Sequence, residues 1–195
     1  VHGANRLGGN SLLDLVVFGR SAGKHINEEL KSGGGVDSAS NEDIELAMSR
    51  LNTLNESESG YEVADVKKQL QTCMQNYFGV FRRGEFMEKG VKELEEIREK
   101  SENLYLKDKS LAFNTNRVEA LELQNLLEVA DATAISAMMR DESRGAHARD
   151  DFPDRDDENW LCHSLYDPVE KKLGKRDVNF VPKEVEAFPP KMRSY

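Results

Sequence analysis

The sequence predicts a mainly α fold: an antiparallel helical bundle, a small α+β module built on a β-hairpin behind it, and one separate helix in front. Three observations predict it. Apolar residues recur at spacings of three and four through the middle of the 195-residue chain. The triplet Gly33-Gly34-Gly35 cannot hold a helix and marks a loop or hinge. Beyond Asp141, prolines and aromatics replace the helical period. The chain therefore divides into residues 1–32, a bundle over 33–140 and a small module over 141–195.

Each element has its own signature. The first helix follows Gly8-Gly9 and carries Leu12, Leu15, Val16, Val17 and Phe18, with Asn10 or Ser11 as its N-cap. In the bundle, Asn41-Glu42-Asp43 opens a helix with Ile44, Met48, Leu51 and Leu54, capped by Ser40 or Asn41. The next stripe is Val63, Val66, Leu70, Cys73 or Met74, and Tyr77; the one after is Met87, Val91, Leu94 and Ile97, reaching toward Leu104. Each of these three helices has one stripe to bury. The longest helix, from about Asn116 to Arg140, has Val118, Leu121, Leu123, Leu126, Leu127, Ala130, Ala134, Ala137 and Met138 over a wide arc, as a central helix requires. Short polar links make neighbours antiparallel. In the last module, 154–158 reads as a solvated loop and Trp160–Tyr166 as a strand. The expected partner strand is Val178–Val181, across a turn near Gly174-Lys175.

Composition excludes several classes. With 32% charged residues and a mean hydropathy of −0.66, no apolar run approaches the ~18 residues a membrane-spanning helix needs. The formal charge of −9 argues against a nucleic-acid footprint, which requires clustered Lys and Arg. That acidity is concentrated in the bundle: the net charge is +1 over 1–32, −7 over 33–140 and −3 over 141–195. Cys73 and Cys162 are far apart and form no Cys-x-x-Cys pair, so a reducing, cytoplasmic setting is expected. Val1 is not an initiator Met and the opening residues lack a signal-peptide pattern, so the chain is expected to begin within a longer protein.

No metal site is expected. Cys162 and His163 would point to opposite faces of a strand, and the acidic run 154–158 lacks the spacing of a calcium loop. His25 has no partner in sequence. His147, between Arg144 and Arg149, reads better as an interdomain hydrogen-bonding residue than as active-site apparatus.

The chemically informative stretch is His2 to Asp14. Gly8-Gly9 permits a tight turn and close approach of backbone to a ligand, and the helix start behind it offers N–H groups and partial positive charge. Such an end suits an anion. Arg6, just before it, has the planar fork that binds a carboxylate through two N–H bonds. By spacing alone, the plainer reading of an ordinary Gly-Gly turn and capped helix stays ahead.

Longer motifs point further. Residues 1–20, from Val1-His2-Gly3-Ala4-Asn5-Arg6-Leu7-Gly8-Gly9-Asn10-Ser11-Leu12-Leu13-Asp14 to Arg20, resemble the last FAD-binding motif of the succinate dehydrogenase/fumarate reductase flavoprotein family. Further likenesses follow in family order at Phe113–Glu119, Glu142-Ser143-Arg144-Gly145-Ala146-His147-Ala148-Arg149, Asp151–Tyr166 and the closing Phe188–Tyr195, so the resemblance covers the whole chain. It is strongest to the bacterial succinate-oxidising members, through Gly8-Gly9 and above all through residues 155–166.

The resemblance implies a role for particular residues. Arg6 matches the family's substrate-binding arginine, which holds a carboxylate of succinate or fumarate. Ser11 and Leu12 match FAD contacts at the helix start. The first 32 residues would be the end of an FAD-binding domain. The whole enzyme would pass a hydride from succinate to FAD and electrons onward through an iron–sulfur subunit to quinone, and through that complex the flavoprotein would be cytoplasmic and peripheral to the inner membrane. The family's dinucleotide-binding glycines, its flavin-linked histidine and its proton-transferring arginine match nothing here. The resemblance thus implies no catalytic residue in this chain, and the isolated chain is expected to be inactive and free of FAD. Its first helix would then expose Leu12, Leu15, Val16 and Phe18, favouring repacking, disorder or self-association through 11–32. A pure scaffold or docking role is the rival reading, and the corresponding part of a fumarate reductase is another.

Overall fold

The computed structural model describes residues 8–35 and 37–191. Five helices, α1 (Asn10–Lys31), α2 (Asn41–Glu56), α3 (Val63–Phe78), α4 (Gly84–Ser101) and α5 (Thr115–Met139), carry the architecture among these residues. Three small two-stranded sheets tie them together. β1 (Tyr61–Glu62) pairs in parallel with β3 (Leu104–Tyr105), and β2 (Phe81–Arg82) in parallel with β4 (Ala148–Arg149). β5 (Cys162–Asp167) and β6 (Lys172–Asp177) form an antiparallel hairpin, with Leu165 opposite Gly174. The first pairing joins the start of α3 to the end of α4. The second joins the end of α3 to the segment after α5. Together they require α3 and α4, and then α4 and α5, to run antiparallel.

The core lies between these three helices. Val63, Val66, Leu70, Cys73 and Phe78 of α3 meet Met87, Leu94 and Ile97 of α4 and Ala120, Leu123, Leu127, Ala130, Ala134 and Ala137 of α5. The alanines let α5 approach closely enough to act as the central helix; it packs on α3, α4 and β5. α3 and α4 also meet closely: a Cβ placed on Gly90 would lie 2.5 Å from both Phe78 Cε2 and Tyr77 Cβ, so no other residue fits without movement.

Four local expectations are corrected. The hairpin partner of β5 is Lys172–Asp177, not Val178–Val181, because the turn is at 168–171. There the Asp167 carboxylate accepts from the amides of Val169 (2.9 Å) and Glu170 (3.0 Å), ahead of Lys171 in left-handed conformation (φ 50°). This Asp-Pro turn outranks Gly174, which lies in the strand. The N-cap of α1 is Gly9, with φ 81° and no side-chain cap bond, rather than Asn10 or Ser11. Its carbonyl accepts from Leu12 (3.1 Å) and Leu13 (3.4 Å). Leu104 lies outside α4, buried in β3. α2 buries only Leu54, leaving Ile44 50% and Met48 48% exposed. It docks on α5 through polar bonds from Arg50 to Gln124 (2.9 Å) and Asn125 (3.3 Å). Its N-cap is Ser40, one of the two expected residues, in a full capping box with Asp43.

Candidate functional site

The first candidate site is the start of α1. Gly9 takes a left-handed turn that few side chains adopt, and a Cβ on either Gly8 or Gly9 would meet nothing within 4 Å. Among the described residues nothing covers the backbone there, and the dipole of the 22-residue helix α1 aims its positive end at it. Ser11 is half-buried and Leu12 71% exposed, both in the first turn. Arg6 and the rest of 1–7 lie outside the described residues. The structure thus places Ser11 and Leu12 beside the glycine turn.

The helix behind this turn is unusual. At 100° per residue, Leu12, Leu13, Leu15, Val16, Val17 and Phe18 surround the axis, a pattern found in helices enclosed on all sides. Yet α1 has no buried residue, and Phe18 is 53% exposed. An apolar patch of this kind marks an interaction surface.

The second candidate site is a polar knot where α3, α5 and the C-terminal segment meet. Glu142, 0% exposed, receives Arg144 through two bonds (2.8 and 3.0 Å), Arg140 Nε (2.8 Å) and the amide of Asp156 (2.8 Å). Burial raises the carboxyl pKa, but these donors outweigh it and hold Glu142 below its usual range. Arg140 reaches on to the carbonyls of Trp160 and Cys162, and its guanidinium lies 5.3 Å from the Trp160 ring. Lys175 lies over the same ring at 3.6 Å.

Arg149, 3% exposed, closes the end of α5. Nη1 donates to the carbonyls of Met138 (3.1 Å) and Arg140 (3.2 Å), while the Asp151 carboxylate takes Nε and Nη2 at 2.7 and 2.8 Å. The Asp151 carboxyl is held far below its usual range, first by Arg149 and further by the amide of Gly84. Across the knot, Arg82 and the Arg140 carbonyl flank His147. The motif 142–149 was legible in sequence. Arg82 was not; its only signal is its position just past the end of α3.

Among the described residues, no group of three His, Cys, Asp or Glu residues is arranged to hold a metal ion, and no helix is long and apolar enough to cross a membrane. Burial, with Glu93 adding to it, pushes the Cys73 thiol up to about 12, which leaves it a core residue rather than a nucleophile.

An exposed apolar helix behind a glycine turn, beside a bundle locked by arginine–carboxylate pairs, fits the C-terminal, helical portion of a flavoprotein oxidoreductase subunit, the class that known proteins point to. Residues 67–195 match the family model "Fumarate reductase flavoprotein C-term". The chain belongs to this succinate dehydrogenase/fumarate reductase flavoprotein family. It is 46% identical to the succinate dehydrogenase flavoprotein subunit of Coxiella burnetii, over 99% of this chain and 33% of that protein. It is 44% identical to the subunit of the same name from Rickettsia bellii, over 100% of this chain and 34% of that one. A solved chain of Escherichia coli quinol fumarate reductase superposes with a TM-score of 0.83 at 35% identity, covering 98% of this chain and 33% of that chain. The chain thus spans about a third of the length of the relatives it matches.

Proposed function

We propose that this chain is the C-terminal part of a succinate dehydrogenase flavoprotein subunit and supplies one wall of its active site. In this reading, residues 1–32 complete an FAD-binding domain, 33–140 form the helical domain and 141–195 a small C-terminal module. The observation that carries it is α1: an exposed helix, apolar right round its first half, beginning at a glycine turn that no described residue covers. That half belongs inside the FAD-binding domain.

The residues present fit the cofactor. The open backbone at Gly8-Gly9 and the first turn of α1 at Ser11 and Leu12 would hold FAD at its flavin end, where N–H groups and the helix dipole favour negative charge. When bound, FAD supplies the acceptor for the hydride taken from succinate. Arg6 holds a carboxylate of succinate or fumarate by a forked pair of N–H bonds and fixes the dicarboxylate for reaction. The proton-transferring group belongs to the rest of the subunit. An iron–sulfur subunit would take the electrons onward to quinone, and the complex would hold the flavoprotein at the cytoplasmic face of the inner membrane. The same wall serves fumarate reduction, and the superposition on a quinol fumarate reductase supports that direction as the second reading.

The test is reconstitution. The chain purified alone is expected to carry no flavin and to oxidise no succinate. Added to a separately produced remainder of the subunit with FAD, it is expected to restore succinate-dependent dye reduction. Stoichiometric flavin on the isolated chain, or no activity from two folded halves that associate, would overturn the proposal.

A further inference from the structure

The imidazole of His147 bridges the ends of two helices. Arg82 folds back onto the end of α3, where Nε donates to the carbonyls of Phe78 (3.3 Å) and Gly79 (3.1 Å) and Nη2 to Phe78 (3.2 Å). This is how a cation satisfies the last carbonyls of a helix. Its remaining Nη1 lies 2.9 Å from His147 Nδ1. A guanidinium can only donate, so Nδ1 must be the acceptor and the ring proton must sit on Nε2. Nε2 lies 3.0 Å from the carbonyl oxygen of Arg140, the C-cap of α5, and donates to it. One neutral tautomer satisfies both helix ends.

We propose that His147 is an acid-sensitive latch, which in its neutral form ties the C-terminal segment to the ends of α3 and α5 and on protonation loosens its hold on the end of α3. A proton on Nδ1 would point a donor at a donor. It would also place an imidazolium among three guanidiniums: Arg82 from β2, Arg149 from β4 and Arg140 from the end of α5. The carboxylates nearby are already engaged, Glu142 with Arg140 and Arg144, and Asp141 and Asp151 with Arg149. No carboxylate bonds the ring among the described residues.

What the latch secures is small. Arg149 keeps the segment on the end of α5 and Asp151 keeps it on the Gly84 amide, whereas at α3 it is held by the two-residue β2·β4 pair and the bond from the Asp150 amide to the Arg82 carbonyl (2.9 Å). His147 itself sits in a bridge with Arg144, one residue before β4. Burial first, and then the charges of Arg82, Arg149 and Arg140, hold the imidazole below its usual range against the opposing bond to the Arg140 carbonyl. The folded pKa is depressed, so the stability His147 contributes is present above about pH 6.5 and is lost as pH falls from there through the folded value.

Two measurements on the whole chain test this. Nitrogen NMR of the His147 ring at neutral pH is expected to show an unprotonated Nδ1 and a protonated Nε2; a proton on Nδ1 would overturn the proposal whatever a variant does. Trp160 is the single tryptophan and stacks with Arg140, so its fluorescence reports the segment. Between about pH 8 and about pH 5, its signal is expected to change with a midpoint below that of a free histidine. Protection of the Asp150 amide is expected to hold above about pH 6.5 and to fall below it by up to about tenfold per pH unit. In His147→Asn the side-chain oxygen takes the place of Nδ1 without titrating, and the transition is expected to vanish. Identical acid transitions in the two proteins would also overturn the proposal.

Discussion

Arg144 grips Glu142 with a two-bond fork, Nε to Oε1 at 2.8 Å and Nη2 to Oε2 at 3.0 Å, and the carboxylate it holds has no exposed surface. Arg140 takes the same carboxylate from the other side. Removing the acid would leave two arginines facing each other in a half-dry site. Glu142→Ala is therefore expected to cost about 3 kcal/mol in urea unfolding, the low end for a broken buried pair because both arginines retain some contact with water. A loss under about 0.5 kcal/mol would mean that the knot contributes no more than a surface ion pair. The Glu142 carboxyl pKa is lowered on folding, so its contribution is present above the ordinary carboxylate range and is lost as pH falls through the folded value.

Gly90 is expected to tolerate no side chain. The methyl of Gly90→Ala would land 2.5 Å from Phe78 and Tyr77, forcing α3 and α4 apart there. The expected loss is about 2 kcal/mol, within the range for an overpacked core, with a lower Tm. An unchanged Tm would show that the helices separate without cost.

Ser40→Ala tests how independently α2 folds. The capping box joins Ser40 Oγ to the Asp43 amide (3.0 Å) and the Ser40 amide to the Asp43 carboxylate (3.3 Å). Its loss is expected to cost about 1 kcal/mol, read as faster hydrogen exchange over 43–47. α2 buries a single residue, so global unfolding is expected to change little. A matching fall in global stability would mean that α2 unfolds together with the core.

The exposed face of α1 is expected to drive self-association when the chain is isolated. Light scattering is expected to give a mass above 22.0 kDa, and Leu15→Glu with Phe18→Glu to bring it back to that value. A monodisperse monomer with a well-protected 11–32 helix would contradict this.

The helices of the bundle were legible because their apolar stripes have the helical period and their neighbours lie nearby in sequence. Val66, Leu70 and Cys73, like Met87, Leu94 and Ile97, are buried as their spacing requires. Ile44 and Met48 have the same spacing and remain exposed, because periodicity shows which face is apolar and not whether anything covers it. The hairpin partner lies elsewhere than Gly174 suggests because the turn at Asp167-Pro168 depends on bonds from the Asp167 side chain. The Arg82–His147 contact joins residues 65 apart and leaves no local pattern to read. Of the candidate site, the Gly8-Gly9 turn and the helix at Ser11 and Leu12 stand where the sequence puts them, and their roles toward FAD remain the proposal.

The measurement that bears most directly on the proposed role is turnover by the full-length flavoprotein subunit, purified with its FAD, after Arg6→Ala. Succinate-dependent dye reduction is predicted to fall by at least about a hundredfold while flavin content stays at the wild-type level, because the role proposed for Arg6 is to grip the substrate and not the cofactor. Activity within about twofold of wild type at matched flavin content would contradict the account, since turnover would then not need the carboxylate grip assigned to Arg6.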